Sequence, residues 1–500
     1  MVLYNGFPVL SAAEAAEKIG HGSTIGFSGF TPAGSAKIIP KALAERAVSL
    51  HARNEPFKLR VLAGASAGRE LDTDLAEAEA IAWRTPYQSS AAMRKRMNAG
   101  TVDFFDMHLS HMPQMVAEGF LGKIDYAVAE ATDITADGRV FLTTSIGATP
   151  TFLKHADKIL IELNHYHSPR VSEMADIATL PLPPHRSPIA IFHPMERVGW
   201  PFVGVDPKKV IGIVENNQPD GVTPFDAPDA VSRRIAMHVI EFLLSEMAAG
   251  RIPKEFLPIQ SGVGNIANAV LSCLRETKDV PQFHMYTEVM QDSVVDLMKE
   301  GIIKGVSTTA LTVSDPKLKE IFDNIDFFQP RVVLRPQEFT NNPGIVRRLG
   351  VITTNTALEV DIYGHVNSTH VCGTQMMNGL GGSGDFTRNA YISVFMCPSI
   401  ARGGRISTIV PMCSHVDHSE HSVQAIVTEY GVADLRGQPP EERARRIIDN
   451  CAHPAYRDYL HDYIRRSPKG HLRHDLTRCF ELHTNLMRDG AMLPGLKIEE

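Results

Sequence analysis

The chain has 500 residues, more than one hydrophobic core usually serves, so two or three domains are expected. Apolar residues make up 43% and charged residues 21%, close to globular averages, which excludes extensive disorder. Fifty Lys and Arg stand against 57 Asp and Glu, a net charge of −7, which excludes the basic excess of a nucleic-acid protein. No uncharged apolar run reaches the roughly 18 to 20 residues that cross a bilayer, so no membrane association is expected. The opening MVLYNGFPVLSAAEAAEKIG lacks both a basic leader followed by an apolar core and the Arg-rich character of a transit peptide. A cytoplasmic protein is expected on that ground, and a mitochondrial matrix protein freed of its transit peptide reads the same way.

In chain order, short β-branched runs alternate with longer helical patterns. Strands are predicted at Leu59–Leu62, Tyr126–Ala129, Ile159–Ile161, Ile189–Phe192, Val210–Val214, Val332–Leu334, Ile392–Phe395, Ile406–Val410 and Ile426–Thr428. Near-continuous apolar runs suit strands buried on both faces, hence an α/β architecture with largely parallel sheets. The stretch 216–229 concentrates Pro, Gly, Asn and Asp and reads as a linker; the helix after it sets Ile235, Val239 and Leu243 on one face and ends at Gly250. Two domains, 1–222 and 223–500, follow. Each begins with a strand, a glycine-rich loop and a helix, at 24–43 and at 257–274, and residues 453–500 read as a helical extension. Six cysteines, all in the second half and without a CxxC, read as reduced, mostly buried thiols.

Four segments invite chemistry. Gly64-Ala-Ser66-Ala-Gly68 matches a nucleophile elbow, but Arg-Glu-Leu-Asp-Thr-Asp follows where a helix should start, and no Asp and His partners stand out. Gly262-Val263-Gly264-Asn265-Ile266-Ala267 fits a relaxed dinucleotide fingerprint, with Glu288 at the expected offset of about 20 residues, where it is either a ribose ligand or a reacting carboxylate. The run 378–385 places glycines at 379, 381, 382 and 384, so that backbone N–H groups can converge on a ligand or oxyanion. His415, His418 and His421, interleaved with acids, read as a metal site or as a hydrogen-bonded scaffold. The clusters at 94–96, 347–348 and 443–446 read as solvated helix faces.

The segments SGVGNIANAV, YTEVMQDS, LRPQEFTNNPGIVRRLG, GHVNSTH, NGLGGSGDFTRNA and SHVDHSEHSVQAIVTEYGVADLRG resemble the acetyl-CoA hydrolase/transferase family of class I coenzyme A transferases. So do GFSGFTPAGSAKIIPKAL, RTPYQSSAAMRKRMNAG and TTSIGATPTFLKHADKILIELN, which extends the similarity over nearly the whole chain. The resemblance implies two α/β domains with the active site between them, a homodimer, and neither metal nor nicotinamide. No cofactor is implied to be tightly bound; coenzyme A serves as substrate. The implied activity is CoA transfer between a short acyl-CoA and a carboxylic acid such as acetate, propionate or succinate, of the succinyl-CoA:acetate or propionyl-CoA:succinate type. A ping-pong reaction would run through a thioester between CoA and a glutamate.

Carried over residue by residue, the resemblance makes Glu288 the nucleophile and Asn341, with Asn342 its adjacent alternative, the oxyanion-stabilising amide. Gly262, Val263, Gly264, Asn265 and Ile266 become the CoA loop, and Leu358, Asn378 and Gly382 later CoA contacts. The backbone N–H groups of Val263 and Gly382 join Asn341 as oxyanion donors. Arg402 stands where the family has a lysine, so charge is kept while the point charge becomes a planar fork. The alternatives are an acetyl-CoA hydrolase, through Ser66 or through loss of the Glu288 thioester to water, and a dinucleotide-binding protein using Gly262–Ala267.

Overall fold

A computed structural model describes residues 2–224, 227–277 and 279–496. The chain forms two compact units that are not its two contiguous halves. The first runs up to Pro224 and takes in His284–Leu349 as well; the second holds the remainder. The expected boundary at 222 lies beside the first crossover, but 223–500 is not one body, because the chain returns to the first unit for 66 residues. Of the expected linker, residues 225 and 226 lie outside the described residues, as do 497–500 of the expected C-terminal extension.

The first unit is built on a nine-stranded sheet. Thr24–Phe27 lies between Leu59–Leu62 and Ile124–Ile134, parallel to both, and Ala156–Asn164 and Val210–Asn216 extend the parallel ladder beyond Ile124–Ile134. Arg139–Leu142 turns back antiparallel on Ile124–Ile134. Ile25, Phe27, Val61 and Val128 are fully buried, and the helix Ile38–His51 packs Ile39, Leu43 and Ala47 into the same core. In the returning segment Ile303–Thr308 pairs in parallel with Val332–Leu334, and Val289–Met290 with Ala310–Leu311.

In the second unit Ile259–Ser261, Ile352–Thr356, Ile392–Met396 and Ala425–Thr428 run parallel, and Gly431–Asp434 closes the edge antiparallel. The helix Ala230–Ala248 starts at Asp229, whose carboxylate accepts the Ser232 N–H at 2.7 Å, and buries Ile235, Val239 and Leu243 as the spacing requires. Pro454–Arg466 and Glu481–Asp489 are the helices of the C-terminal extension. No helix among the described residues is long and apolar enough to cross a membrane.

Two predicted strands fail. Ile189–Phe192 forms no ladder: prolines at 181, 183, 184, 188 and 194 surround it, and its carbonyls at Ile189 and Ile191 accept instead from the Arg348 guanidinium at 2.7 and 2.9 Å. Ile406–Val410 is two pieces that change partners at Thr408, whose hydroxyl donates to the Pro398 carbonyl at 2.6 Å. Ile406–Ser407 pairs with Ile400–Ala401, and Ile409–Val410 with Glu359–Asp361. The arginine clusters are not uniformly solvated faces either. Besides Arg348, half-buried Arg443 donates to the carbonyls of Tyr363, Leu435 and Glu420, tying loops together.

Candidate active site

Glu288 follows the strand Phe283–Tyr286 and precedes Val289–Met290. Tyr286, Thr287, Val289 and Met290 around it are buried, while Glu288 itself, at the bend between the two strands, is half-buried. Three donors fix its backbone: its carbonyl accepts the N–H groups of Thr309 at 2.9 Å and Ala310 at 3.2 Å and the Thr308 hydroxyl at 2.7 Å. Val289 packs with Phe30, Ala33, Ala65, Leu109 and Ala310 in a small apolar cluster that anchors the next residue of the loop.

Facing the carboxylate is the end of a short helix, Gln337–Thr340. Asn341 closes that helix with its N–H on the Gln337 carbonyl at 2.9 Å, and its fully buried side chain donates from Nδ2 to Glu288 Oε1 at 2.6 Å. The Thr340 hydroxyl donates to Asn341 Oδ1 at 2.8 Å. Asn342 does something else: its Oδ1 accepts the N–H groups of Gly344 and Ile345 at 3.0 and 3.3 Å, capping the helix Pro343–Leu349. Of the two adjacent asparagines, Asn341 is therefore the one at Glu288. The short helix is tied down by the Tyr286 hydroxyl on the Phe339 carbonyl at 2.6 Å and by Gln337 Nε2 on the Leu109 carbonyl at 2.7 Å. In the same helix Glu338 is buried, and burial, opposed by Arg186 and Lys154, pushes its carboxyl up to about 7.

The remaining candidates lie in the second unit. Gly262, Val263 and Gly264 connect Ile259–Ser261 to the helix Asn265–Glu276. Gly262 N–H donates to the Thr354 carbonyl at 2.9 Å, Val263 and Asn265 are exposed, Ile266 is half-buried, and Gly264 sits at φ +123°, a conformation only glycine adopts readily. No side chain caps that helix, which leaves its first turn without a side-chain acceptor, an arrangement suited to an anion.

Gly382 opens the short helix Ser383–Thr387 after Gly381 at φ +63°. Ser383 Oγ donates to the Leu380 carbonyl at 2.8 Å and lies 3.1 Å from His418 Nε2, so a single hydroxyl proton requires the imidazole to be the donor in that second contact. Asn378 is half-buried with its N–H toward the Thr369 carbonyl at 3.3 Å, and Leu358 is exposed beside the turn. Arg402 is exposed at the tip of the Ile400–Ala401 and Ile406–Ser407 hairpin, at φ +50° and followed by two positive-φ glycines.

Ser66 Oγ lies 2.9 Å from Asp72 Oδ2 and 3.1 Å from Gln88 Oε1, and accepts from Ser89; no imidazole is among these partners. Asp72 is held in turn by Arg84, fully buried, at 3.1 and 3.2 Å. Contrary to the sequence expectation, Arg69–Asp74 is helical, a wide turn of the π type that brings Asp72 back to the Ala67 N–H at 2.7 Å. The three histidines take separate roles: His415 Nε2 lies 3.1 Å from Asp417, buried His418 packs on Phe395 and reaches Ser383, and His421 is exposed.

Among the described residues the one group spaced to hold a metal ion is Glu130, His167 and Asp220, which no motif announced. Lys37 already supplies positive charge there, with Nζ 2.5 Å from Glu130 and 3.1 Å from Asp220. Of the six free cysteines, five are buried and Cys372 is half-buried.

Comparison with known proteins gives two family matches. Residues 7–215 match the acetyl-CoA hydrolase/transferase N-terminal domain and residues 318–464 the corresponding C-terminal domain. The chain is 56% identical over 484 residues to the propanoyl-CoA:succinate CoA transferase of Escherichia coli, covering 97% of this chain and 98% of that one. It is 46% identical to the succinyl-CoA:acetate CoA-transferase of Clostridium kluyveri, covering 97% and 90%. The crystal structure of RipA from Yersinia pestis shares the fold, with a TM-score of 0.71 at 24% identity over 91% of this chain and 96% of that one.

Proposed function

The chain belongs to the acetyl-CoA hydrolase/transferase family and is a CoA-transferase, and from that premise we propose that it moves coenzyme A between short acyl-CoA thioesters and the free acids acetate, propionate and succinate by covalent catalysis on Glu288. The observation that carries the proposal is the 2.6 Å bond from Asn341 Nδ2 to Glu288 Oε1. It gives one carboxylate oxygen, Oε1, a fixed side-chain donor, and in the proposed reaction the other, Oε2, attacks.

A free carboxylate is a poor electrophile, so exchange between two acids needs an activated intermediate that water does not consume. Glu288 Oε2 adds to the acyl-CoA carbonyl and the CoA thiolate leaves, giving a mixed anhydride. The thiolate then adds to Glu288 Cδ, the electron pair moves to Oε1, and collapse expels the donor acid as its carboxylate to leave a glutamyl-CoA thioester. An acceptor carboxylate runs the same steps in reverse. No proton is gained or lost and no oxidant is needed. When Cδ becomes tetrahedral the negative charge falls on Oε1, where the Asn341 amide already donates, so stabilisation costs no reorganisation at that step.

The Val263 and Gly382 backbone N–H groups are proposed as donors to the substrate acyl oxygen. Gly262, Gly264, Asn265, Ile266, Leu358, Asn378 and Arg402 are proposed to hold CoA, whose nucleotide and pantetheine provide binding energy remote from the reacting carbonyl. Family membership and the exposed helix N-terminus after Gly264 support this assignment. Initial rates against both substrates test the reading. Parallel double-reciprocal lines, and no transfer by Glu288→Gln, are expected; intersecting lines or transfer by that variant overturn it. Release of CoA without any acceptor acid would instead mark the hydrolase alternative, with water taking the thioester.

A further inference from the structure

A side-chain amide has two chemically opposite ends, and only one of them helps an anionic nucleophile. A carboxylate accepts and never donates, so Asn341 must present Nδ2 to Glu288; turned over, it would set a carbonyl oxygen against a carboxylate oxygen. Something has to choose. Resting on the assignment of Glu288 as nucleophile, we infer that Thr340 is a positioning residue for CoA transfer, whose hydroxyl holds the Asn341 amide with Nδ2 toward Glu288.

Thr340 and Asn341 are both fully buried, so water does not substitute for either partner. Thr340 Oγ1 lies 2.8 Å from Asn341 Oδ1 and 3.4 Å from the Gln337 carbonyl, and its single proton goes to the shorter contact. The hydroxyl therefore donates to the amide oxygen, and the amide nitrogen on the opposite side faces Glu288 Oε1 at 2.6 Å. Donor and acceptor alternate along a three-member chain, Thr340 to Asn341 to Glu288, and the last member is the oxygen that becomes negative when Cδ is attacked. The threonine touches no reacting atom; it acts through Asn341. Its backbone is secured independently, because Tyr286 and Leu109 hold the neighbouring Phe339 and Gln337. The side chain can thus be altered without releasing the helix.

The test uses Thr340→Val, which keeps the shape and removes the hydroxyl, Thr340→Ser, which restores it, Asn341→Ala, and the double variant Thr340→Val/Asn341→Ala, all as full-length protein with a short acyl-CoA and acetate. Thr340→Val is expected to lower kcat about ten-fold, the effect of one net hydrogen bond. KM for the acyl-CoA should stay within about two-fold of wild type, since this hydroxyl binds no CoA. Thr340→Ser should recover most of the rate. In the Asn341→Ala background the valine should cost nothing further, because the residue it positions is gone.

Mass spectrometry of each variant after exposure to acyl-CoA, without acceptor, reports the Glu288 adduct separately. A wild-type protein with no adduct on Glu288 overturns the nucleophile assignment and this inference with it. A wild-type adduct together with an undiminished kcat in Thr340→Val overturns the role of Thr340 alone. So does a loss that is the same size with and without Asn341, which would mark a purely structural effect.

Discussion

Replacing Asn341 separates an amide that stabilises charge from one that merely fills space. Its Nδ2 is 2.6 Å from Glu288 Oε1 in a fully buried position, so Asn341→Ala removes a fixed donor from the atom where the proposed mechanism develops negative charge. Loss of one such donor costs about 10²–10³ in kcat, roughly 2.7–4 kcal/mol of barrier, with little change in KM. Asn341→Asp is the sharper probe. At the same separation two ionised carboxylates repel by about 6 kcal/mol with an effective dielectric of ~20, so the pair holds one proton well above the ordinary carboxylate range.

The sign follows. A repulsion of that size corresponds to a shift of about four pH units, so the proton is lost only toward pH 9, and there Asn341→Asp should be at least as impaired as the alanine variant. As the pH falls the introduced carboxyl regains a proton, donates to Oε1, and restores part of the rate. The assay is the initial rate of succinate-dependent CoA transfer from a short acyl-CoA between pH 5 and pH 9, with circular dichroism to verify folding. An alanine variant within three-fold of wild type, or an aspartate variant whose rate parallels wild type at every pH, would show that Asn341 does not stabilise charge on Glu288.

Other perturbations test the surroundings. Arg84→Met leaves Asp72 as an uncompensated buried charge and should destabilise the first unit by about 3–5 kcal/mol, read as a lowered first thermal transition; an unchanged transition would mean that Ser66, Gln88 and the Ala67 N–H suffice. For His167, burial lowers the imidazole pKa but Asp220 and Glu130 outweigh it, raising the value to about 9. Its ion pairs therefore contribute fully below about pH 6.5 and are lost as the pH rises through 9, about 3 kcal/mol in all; His167→Gln should flatten the decline of melting temperature over that range, and an equally steep decline would contradict it. Gly264→Ala meets no neighbour within 4 Å but must hold an alanine at φ +123°, about 1–3 kcal/mol of strain. Calorimetry should show CoA binding weakened about ten-fold or more, and wild-type affinity would show that the loop conformation is not needed.

The parallel α/β architecture was legible because fully buried strands announce themselves as unbroken apolar runs: Ile159–Ile161 and Ile392–Phe395 lie inside strands fully buried at those positions. Ile189–Phe192 has the same local composition and misleads, since the prolines around it remove ladder donors and the compensating Arg348 is more than 150 residues away. The return of 284–349 to the first unit was invisible for the same reason, being decided by nonlocal packing and not by any linker composition.

At the site, the resemblance named Glu288 and a pair of asparagines. Choosing between Asn341 and Asn342 needed the helix geometry that turns one toward Glu288 and makes the other a cap. Thr340 stood in full view within LRPQEFTNNPG but carried no signal, because a threonine's hydrogen-bond partner is set by the fold. The buried Lys37, Glu130, His167 and Asp220 come from four distant places and have no spacing to recognise.

In the proposed reaction Glu288 carries CoA as a thioester. Incubating the protein with a short acyl-CoA and no acceptor, trapping with borohydride or hydroxylamine, and mapping the product by peptide mass spectrometry tests it directly. Modification confined to Glu288 and lost in Glu288→Gln is expected. Release of CoA with Glu288 unmodified, or an adduct on another residue, would contradict it.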